Sequence, residues 1–561
     1  MSKKIKYSSN QLAKYIADAP MVVKNYIQSL EKQVGNLANI GLALSKEKNM
    51  SKLLEMILIE AKRIANSDGG TLYMMTDDNR LRFEIMMTDS LDFHMGGTSG
   101  KEIPFYPVKL YDEEGNPNKS MIAAYVGLTG ETVNIPDAYK AKGFDFSGTK
   151  MFDEKTGYHS QSFLTVPLKN HEDEIIGVLQ LLNAQNNNTK KIIPFASDIQ
   201  EMVEALASQA AVAITNKNLI KDLEALFESF IKLIASAIDA KSPYTGGHCA
   251  RVPEITMLLA KAVQETIDGP FADISFTDKE MYELKIAAWL HDCGKVATPE
   301  FVVDKSTKLE TIYDRVNEVE TRFAAIKRDE QIKSLRNELK VERDDSLSKE
   351  EKLIKIKTLK SKYSKKLREL KSDLEFIKES NIGGEFMSGD KKDRVHNISN
   401  YRWKPNGKME NFLSEDEVYN LTIPRGTLTA EERKVINDHI VVTINMLEEL
   451  PYPKHLKNVP EFAGGHHEKL DGTGYPKGLT KDEMSVQARI MAIADIFEAL
   501  TAKDRPYKKG KTLSQAMRIL GFMKNDAHID VDLFDIFVKD KIYLKYAQEH
   551  LDPDQIDEVQ M

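Results

Sequence analysis

Apolar and polar positions follow two different periods along the first two hundred residues. Apolar side chains recur at helical spacing over 21–44 and 50–64, which predicts two helices. The period then shortens to two, as expected of half-buried strands. The four predicted strands are 71–75, 81–87, 163–168 and 175–182. Helices on either side of such strands predict an α+β domain with one antiparallel sheet.

A long helix is predicted next, because apolar positions recur over 197–240 with no glycine or proline to interrupt them. At 1.5 Å per residue this helix would be roughly 60 Å long, more than a small domain needs. Apolar spacing of three and four over several turns is typical of a helix that pairs with another. We therefore predict a homodimer through this interdomain helix. Its second half can equally be the first helix of the next domain's core, and the two interpretations are compatible.

The remaining pattern is helical. Heptad spacing over 312–326 and again over 356–377 predicts an antiparallel helical hairpin, with polar residues and a capping box from Ser348 to Glu351 between its arms. Its lysines are expected to form a solvated face, and a partner-docking or substrate-gating arm is the alternative. The stretch 381–422 is rich in Gly, Asn and charged residues and is predicted to be irregular.

Composition adds limits to this picture. A chain of 561 residues predicts two or three domains, and a net charge of −8 argues against a general nucleic-acid surface. Cys249 and Cys293 are the only cysteines, which fits a reducing compartment. The amino terminus lacks the apolar run of a secretory signal, and no stretch approaches the roughly 20 apolar residues of a membrane span. We expect a cytoplasmic protein without a membrane span.

Seven histidines and aspartates form a candidate metal site. His291-Asp292 ends an apolar helix, and Asp495 interrupts the apolar helical face 490–497. A buried acid is normally paired or bound to a metal, although any single member of the set can be an ordinary core residue. The set is His248, His291, Asp292, His439, His466, His467 and Asp495. Five nitrogen and two oxygen donors exceed one tetrahedral site and suit two divalent ions of the iron or manganese type, with Asp292 as the bridge. Such a pair can clamp a phosphate.

Residues 41–216 resemble a GAF domain. The resemblance rests on the segments beginning at Ser67-Asp68-Gly69-Gly70, Ala124-Tyr125-Val126-Gly127 and Gly177-Val178-Leu179-Gln180, and on Phe152-Asp153-Glu154-Lys155. It implies a sensor that binds a small, unidentified ligand on one face of its sheet, or a domain used only for dimerisation. Asn183 is followed by Ala184, which departs from the pattern of the cyclic-nucleotide-binding subgroup.

Residues 225–309 and 427–525 resemble the HD-GYP branch of the HD phosphohydrolases. The motifs His-x-x-Arg-Val, His-Asp-x-Gly-Lys, His-His-Glu, Asp-Gly-x-Gly-Tyr-Pro and Asp-Arg-Pro-Tyr occur in the order of that family. The resemblance implies an all-helical, metal-dependent phosphodiesterase that hydrolyses cyclic di-GMP to linear pGpG or GMP. Within it, 310–426 is an insertion that carries the predicted hairpin at about 310–380.

The resemblance also implies residue roles. One metal would be held by His248, His291, Asp292 and Asp495, and the other by Asp292, His439, His466 and His467. Lys295 would act with Asp292 in catalysis and contact the substrate, as would Tyr475, Arg505 and Lys508, although a solvated charge run is the alternative for Arg505 and Lys508. Relatives with a third metal carry a Glu where this chain has Tyr244, which predicts two ions.

The sequence therefore predicts a multidomain protein in which an α+β GAF domain is joined by a long helix to an all-α HD-GYP domain with an inserted helical hairpin. The expected boundaries are 1–40 for a helical segment, 41–218 for the GAF domain, 219–525 for the phosphodiesterase domain and 526–561 for a helical tail. Three other functions stay open. One is hydrolysis of a different cyclic dinucleotide, such as cyclic GMP-AMP, and another is a metal-binding scaffold without activity. The third is hydrolysis of a nucleotide that is not cyclic, which the Gly-Tyr-Pro segment disfavours.

Overall fold

The computed structural model describes residues 20–241, 247–502 and 510–560, without the side chains of residues 29, 30, 33 and 406. The chain divides into two compact units between Ala225 and Leu226. Arg505, Lys508 and Tyr244, which the sequence analysis singled out, lie outside the described residues. Within those residues, no helix combines the length and the apolar character needed to cross a bilayer.

The first unit is a mixed helix and strand fold. Its helices are α1 (Met21–Lys46), α2 (Met50–Ala65), α3 (Ile122–Thr129) and α4 (Ser147–Thr156). Its strands are β1 (Ser67–Met75), β2 (Arg80–Thr88), β3 (Phe93–Gly96), β4 (Val108–Lys109), β5 (Val133–Ile135), β6 (Phe163–Lys169), β7 (Ile175–Gln185) and β8 (Ile192–Ile193). The four strands predicted from the alternation correspond to β1, β2, β6 and β7.

One antiparallel sheet organises this unit, in the order β3-β2-β1-β7-β6-β5, with β4 beside β2 and β8 beside β7. Successive side chains of β1 point to opposite faces, as the strand period requires. Leu72 packs into the core beneath α2, whereas Tyr73 packs into a second core with Val126 of α3. The predicted α+β domain with one antiparallel sheet is confirmed.

Helix α5 (Ser197–Lys241) continues unbroken across the boundary between the units. Its first part packs on the sheet of the first unit through Val203, Leu206 and Ala210. Ile231 and Ala235 belong to the core of the second unit. The predicted long helix is therefore confirmed, and its last turns also serve as a core helix of the second unit.

The second unit is helical apart from one short ribbon among its described residues. Its helices are α6 (His248–Glu265), α7 (Asp278–Leu290), α8 (Glu300–Val303), α9 (Val316–Glu342), α10 (Lys349–Ile382), α11 (Gly389–Ser399), α12 (Glu415–Leu421), α13 (Ala430–Asn437), α14 (His439–Glu448), α15 (Val459–Gly464), α16 (Val486–Thr501), α17 (Leu513–Asn525), α18 (Val531–Lys539) and α19 (Ile542–His550). Its core unites α6, α7 and α16 with the carboxyl-terminal helices, because Phe537 and Tyr546 pack against Phe497.

Helices α9 and α10 form the predicted hairpin and lie antiparallel. Ion pairs join Glu338 to Lys360 and Glu320 to Lys378, so residues near the start of one helix face residues near the end of the other. A capping box at Ser348 begins α10, because its hydroxyl accepts from the backbone N–H of Glu351. This interaction fixes the turn that reverses the chain.

The prediction that 381–422 is irregular is wrong. This stretch contains α11, α12 and a two-stranded ribbon of β9 (Arg402–Trp403) and β10 (Glu410–Asn411). Phe412 is fully buried and packs edge-on against Phe323 of the hairpin. Long-range packing against the hairpin base therefore stabilises elements that are too short to show a periodic pattern.

Candidate metal centre

Each of the seven predicted donors stands at a helix end or on a buried helical face. His248 and His439 are the first residues of α6 and α14, and His291 directly follows α7. His466 and His467 follow α15, while Asp495 lies in α16 with apolar neighbours on both sides. Helix ends leave backbone groups free, so the side chains there can be directed by nearby carbonyls.

The structure brings all seven donors together around Asp292. Its Oδ2 lies 3.1 Å from His248 Nε2 and 3.3 Å from His291 Nε2, whereas its Oδ1 lies 3.2 Å from His439 Nε2. Asp495 Oδ1 is 3.3 Å from His248 Nε2. Three overlapping groups have donor atoms within 4.8 Å of one another: His248 with His291 and Asp495, His291 with Asp292 and His466, and His439 with His466 and His467.

Three of the histidines are oriented in the same way, by a hydrogen bond to a backbone carbonyl. In each, Nδ1 lies within hydrogen-bond distance of the carbonyl oxygen three residues earlier: 2.7 Å for His291 and Ala288, 2.6 Å for His466 and Ala463, and 2.5 Å for His439 and Ile436. A carbonyl can only accept, so Nδ1 carries a proton, and in the neutral ring the lone pair is then on Nε2. That is the tautomer a metal-ligating imidazole needs.

Some of these donor atoms have no hydrogen-bond partner although they are fully buried. They are Asp292 Oδ1, His439 Nε2 and His466 Nε2, and the first two do not form a hydrogen bond with each other although they lie 3.2 Å apart. Burying such atoms unsatisfied costs about 1–3 kcal/mol each, so several in one place need an explanation. A cation shared by these atoms removes that cost, and neutral imidazole with carboxylate is a donor set that iron or manganese accepts. The residues present therefore fit a divalent metal.

Burial and neighbouring charge shift the pKa values of these groups in opposite directions. Burial, together with the nearby His467 and His291, holds the pKa of His466 well below its usual range. Burial lowers the pKa of His467 to about 4. For His248, burial alone would lower the pKa, but Asp292, Asp495 and Glu498 raise it well above the usual value. The imidazoles of His466 and His467 are therefore neutral near pH 7, whereas the imidazole of His248 is enclosed by three carboxylates.

Gly294 allows the close approach that places His439 beside Asp292. A Cβ at Gly294 would overlap the carbonyl oxygen of His439 and lie 2.6 Å from the backbone nitrogen of Thr443. The Gly294 N–H instead donates to Thr443 Oγ1 at 2.9 Å. The glycine of the His-Asp-x-Gly-Lys motif therefore joins α14 to the turn that carries Asp292.

Glu498 is a residue of the site that the sequence reasoning missed. It is almost fully buried in α16, one turn beyond Asp495, and its Oε2 lies 2.5 Å from His248 Nδ1. Its Oε1 accepts from Arg251 Nε at 2.7 Å. A carboxylate behind a ligating histidine fixes the ring and its tautomer. The spacing of three from Asp495, and of three between His248 and Arg251, was the signal available in the sequence.

Two of the four predicted substrate contacts, Lys295 and Tyr475, lie among the described residues. Lys295 Nζ donates to Asp292 Oδ2, and the Lys295 side chain is partly exposed. The Tyr475 ring stacks on His467 with centroids 4.9 Å apart, and burial raises the pKa of Tyr475 to about 12. Both side chains therefore border the candidate metal centre, while Arg505 and Lys508 lie outside the described residues.

Glu468, the third residue of His-His-Glu, shapes the loop that carries Tyr475. Its buried carboxylate accepts from the backbone N–H groups of Lys477 at 2.7 Å and Leu479 at 3.0 Å. Gly474 crosses so close to Glu468 that a Cβ would lie within 2.6 Å of its carbonyl carbon. The glycines of this segment therefore allow the loop to fold back on itself.

The first unit contains a cavity of about 520 Å³ on the α3 face of its sheet. Its walls are mainly apolar, with Phe83, Phe105, Met121 and Phe163 among them, and Thr71 and Gln180 supply polar atoms. Among the described residues, none of the side chains that line it is Lys, Arg or His. The cavity is large enough for a small organic molecule.

Two family models match the chain. Residues 49–214 match the GAF domain and residues 415–533 match the HD domain. The chain carries a GAF domain followed by an HD domain. The HD match includes His439, His466, His467 and Asp495, whereas His291 and Asp292 precede it. The resemblance inferred from the sequence motifs is confirmed at this level.

Several curated proteins are similar to short parts of the chain. A 3'3'-cGAMP-specific phosphodiesterase 3 of Vibrio cholerae is 39% identical over 107 residues, which is 19% of this chain and 22% of the relative. The 3'3'-cGAMP-specific phosphodiesterase 1 of the same organism is 43% identical over 81 residues, 14% of this chain and 19% of the relative. A cyclic di-GMP phosphodiesterase of Pseudomonas aeruginosa is 45% identical over 74 residues, 13% of this chain and 17% of the relative. The chain thus spans about a fifth of the length of these relatives.

Proposed function

We propose that the HD unit hydrolyses a phosphodiester bond of a cyclic dinucleotide, with cyclic di-GMP as substrate and linear pGpG or GMP as product. The observation that carries the proposal is the position of Asp292. Its Oδ2 faces His248 and His291 while its Oδ1 faces His439, so one carboxylate borders two groups of donors. This arrangement suits two divalent ions, iron or manganese, that share Asp292.

In this proposal one ion is held by His248, His291, Asp292 and Asp495, and the other by Asp292, His439, His466 and His467. When bound, such a pair supplies Lewis acidity toward a phosphoryl oxygen and lowers the pKa of water. The protein contributes imidazoles of fixed orientation, because backbone carbonyls accept from Nδ1 of His291, His439 and His466 and leave Nε2 to face the site. Preorganised donors of this kind need little rearrangement during the reaction.

Lys295 and Tyr475 would contact the substrate at the edge of this site. The Lys295 ammonium lies beside Asp292 and is partly exposed, so it can meet a phosphate oxygen as negative charge builds on it. The Tyr475 ring is held by stacking on His467 and can offer its free face or its hydroxyl to the dinucleotide. Arg505 and Lys508 remain predicted contacts to the phosphates.

Turnover of purified substrates tests this function. Protein purified without oxygen is incubated with cyclic di-GMP, and products are separated by chromatography before and after metal removal. We expect linear pGpG or GMP, loss of turnover with a chelator and its return with iron or manganese. Bound metal without turnover of any cyclic dinucleotide would favour the scaffold without activity.

A second substrate, the mixed guanine and adenine cyclic dinucleotide, is favoured by the names of two of the relatives. The described donors of the candidate metal centre would act on the phosphate group and not on the edges of the bases. They therefore do not distinguish between the two substrates. Comparison of kcat/KM for cyclic di-GMP and 3'3'-cGAMP under identical metal conditions decides between them.

Regulation is proposed to act through the GAF domain and a homodimer. Exposed apolar residues follow α5 at spacings of four and three, which is the pattern of a coiled-coil seam: Leu219, Leu223, Leu226, Phe230 and Leu233. A second copy of the same helix would cover this seam. Replacing Leu223 and Phe230 with Glu should then lower the mass measured by light scattering from twice 63.5 kDa to a single 63.5 kDa chain.

For the GAF cavity we propose a small, largely apolar ligand, because Phe and Met side chains dominate its described lining and the one charged residue there is the acid Asp145. A cyclic nucleotide would bring a phosphate into walls that offer no described cation.

The two cysteines are free and buried, in keeping with the proposed location in the reducing cytoplasm.

A further inference from the structure

The outer face of hairpin helix α9 carries an apolar seam that the described chain leaves uncovered. Ile332, Leu335 and Leu339 are 47%, 53% and 48% exposed, although each is a large apolar side chain. They are spaced by three and four residues, so they lie on one face of the helix over two turns. The opposite face of α9 is the one that packs inward, through Val319, Phe323 and other buried residues.

Cations flank this seam. Ile332 and Leu339 line a groove of about 690 Å³, together with the cationic side chains of Lys333, Arg336, Lys340, Arg343 and Lys404 and a single acid, Asp329. Lys404 directly follows strand β9, so the end of the ribbon also borders the groove. This cationic groove stands out in a chain whose net charge is −8.

The cations of the groove are largely uncommitted to the fold. Lys333 pairs with Glu330 at 3.4 Å, but this is an exposed pair within one helix turn and contributes little. Within the described ranges, Arg336, Lys340 and Arg343 form no ion pair with an acidic side chain within 4.0 Å. Their charge is therefore available to a binding partner at small cost to the protein itself.

We propose that this groove docks an acidic amphipathic helix of another protein. An apolar seam at heptad spacing matches the apolar face of a helix, and flanking cations match acidic residues beside that face. Residues 329–343 would support roughly 20 Å of partner helix at 1.5 Å per residue. A second copy of this chain fits poorly, because it would bring one cationic groove against another.

Other polyanions would use the cations but not the seam. A membrane surface or a nucleic acid is attracted by charge wherever lysines are dense. Helix α10 offers such a surface, since 352–368 contains eight Lys or Arg residues and no Asp or Glu. The combination of cations with an exposed heptad seam on α9 is what selects a helix as the occupant.

Binding of designed peptides to the full chain tests the proposal. The probe is a fluorescent three-heptad peptide with Leu and Ile at the seam positions and Glu at the flanking positions, its helix held by a lactam bridge on the far face. Its counterpart has Lys in place of each Glu. Fluorescence anisotropy is expected to give saturable, salt-sensitive binding of the acidic peptide in the micromolar range and no binding of the basic one.

Charge reversal in the groove supplies the decisive comparison. The double variant R336E/K340E should bind the acidic peptide at least about tenfold more weakly and should gain binding of the basic peptide. The matched control K362E/K365E makes the same change on α10, where both lysines are exposed, and should bind like the unchanged chain. Circular dichroism melts should agree among the three proteins, because all four side chains are at the surface.

Three outcomes would overturn the proposal. The first is equal binding of both peptides, or none of the acidic one. The second is that K362E/K365E loses as much binding of the acidic peptide as R336E/K340E does, while the unchanged chain also binds phosphatidylglycerol vesicles or single-stranded DNA. That result would assign the surface to a membrane or a nucleic acid. The third is a change in the solution mass caused by R336E/K340E, which would assign the groove to a second copy.

Discussion

Replacing Glu498 with Gln tests how the candidate metal centre is held. The carboxylate accepts from Arg251 at 2.7 Å and lies 2.5 Å from His248 Nδ1, so it orients the ring whose Nε2 faces Asp292. Gln has nearly the same size, but it removes the negative charge and replaces one of the two accepting oxygens with an NH2 donor, so it can accept from only one of Arg251 and His248. The effect on metal binding therefore reports on the electrostatic and orienting role of the carboxylate.

The expected loss in metal affinity is about 10–100-fold, the usual effect of removing a carboxylate behind a ligating histidine. That corresponds to about 1.4–2.8 kcal/mol. A hydrogen bond to a charged group contributes about 1.5–3 kcal/mol, which agrees with this range. Affinity is measured by competition with a chelator in protein purified without oxygen, and turnover is measured at saturating metal, where most of it should return.

The matched control is Glu283→Gln. Glu283 is also buried in the second unit. Its carboxylate accepts from the backbone nitrogen of Asn458 at 2.6 Å and from the side-chain nitrogen of Asn458 at 3.2 Å. In the described contacts it touches none of the seven donors. We expect it to lower the melting temperature without changing metal affinity. Unchanged affinity in the Glu498 variant, or an equal loss in both variants, would refute the orienting role.

Three further predictions follow from the geometry. Gly294→Ala should lower the free energy of unfolding, measured by urea titration, by about 2–4 kcal/mol, because the new Cβ meets the backbone of α14. The control Gly521→Ala, where a Cβ meets nothing within 4 Å, should leave the free energy of unfolding unchanged or raise it. The pKa of His467 is about 4 in the fold against about 6.5 when unfolded, so chelator-treated protein should lose stability as the pH falls from about 6.5 toward 4, and a His467→Gln variant should lose less over that window. Tyr475→Phe keeps the ring that stacks on His467 and should lower kcat/KM less than about threefold, whereas Tyr475→Ala should lower it at least about tenfold; equal losses would assign the contact to the hydroxyl instead.

Most of the fold could be predicted from the sequence because its main elements are long and periodic. Strands β1, β2, β6 and β7 are long, largely apolar runs bounded by turn residues, and the heptads of α9 and α10 extend over many turns. The elements that were not predicted are short: α11, α12 and the ribbon. Their positions depend on contacts such as the one between Phe412 and Phe323. Such contacts join residues far apart in the chain and leave no local period.

The candidate metal centre was predictable for a different reason. An acid such as Asp495 inside an apolar helix, or His291-Asp292 at the end of one, is costly to bury and therefore conspicuous. Glu498 escaped notice because an acid near the end of a helix is usually solvated, and its spacing of three from Asp495 is a weak signal until the fold brings it against Arg251. The roles of Lys295 and Tyr475 still depend on where a substrate binds.

We propose that Asp292 joins two groups of donors into one centre for two cations. Elemental analysis of protein purified without oxygen measures this directly, as moles of iron and manganese per chain, for the unchanged protein and for Asp292→Asn. We predict two ions per chain, and fewer than one in the variant, with hydrolysis of cyclic di-GMP lost in parallel. One ion or none in a fully active protein, or two ions retained in the variant, would contradict the account.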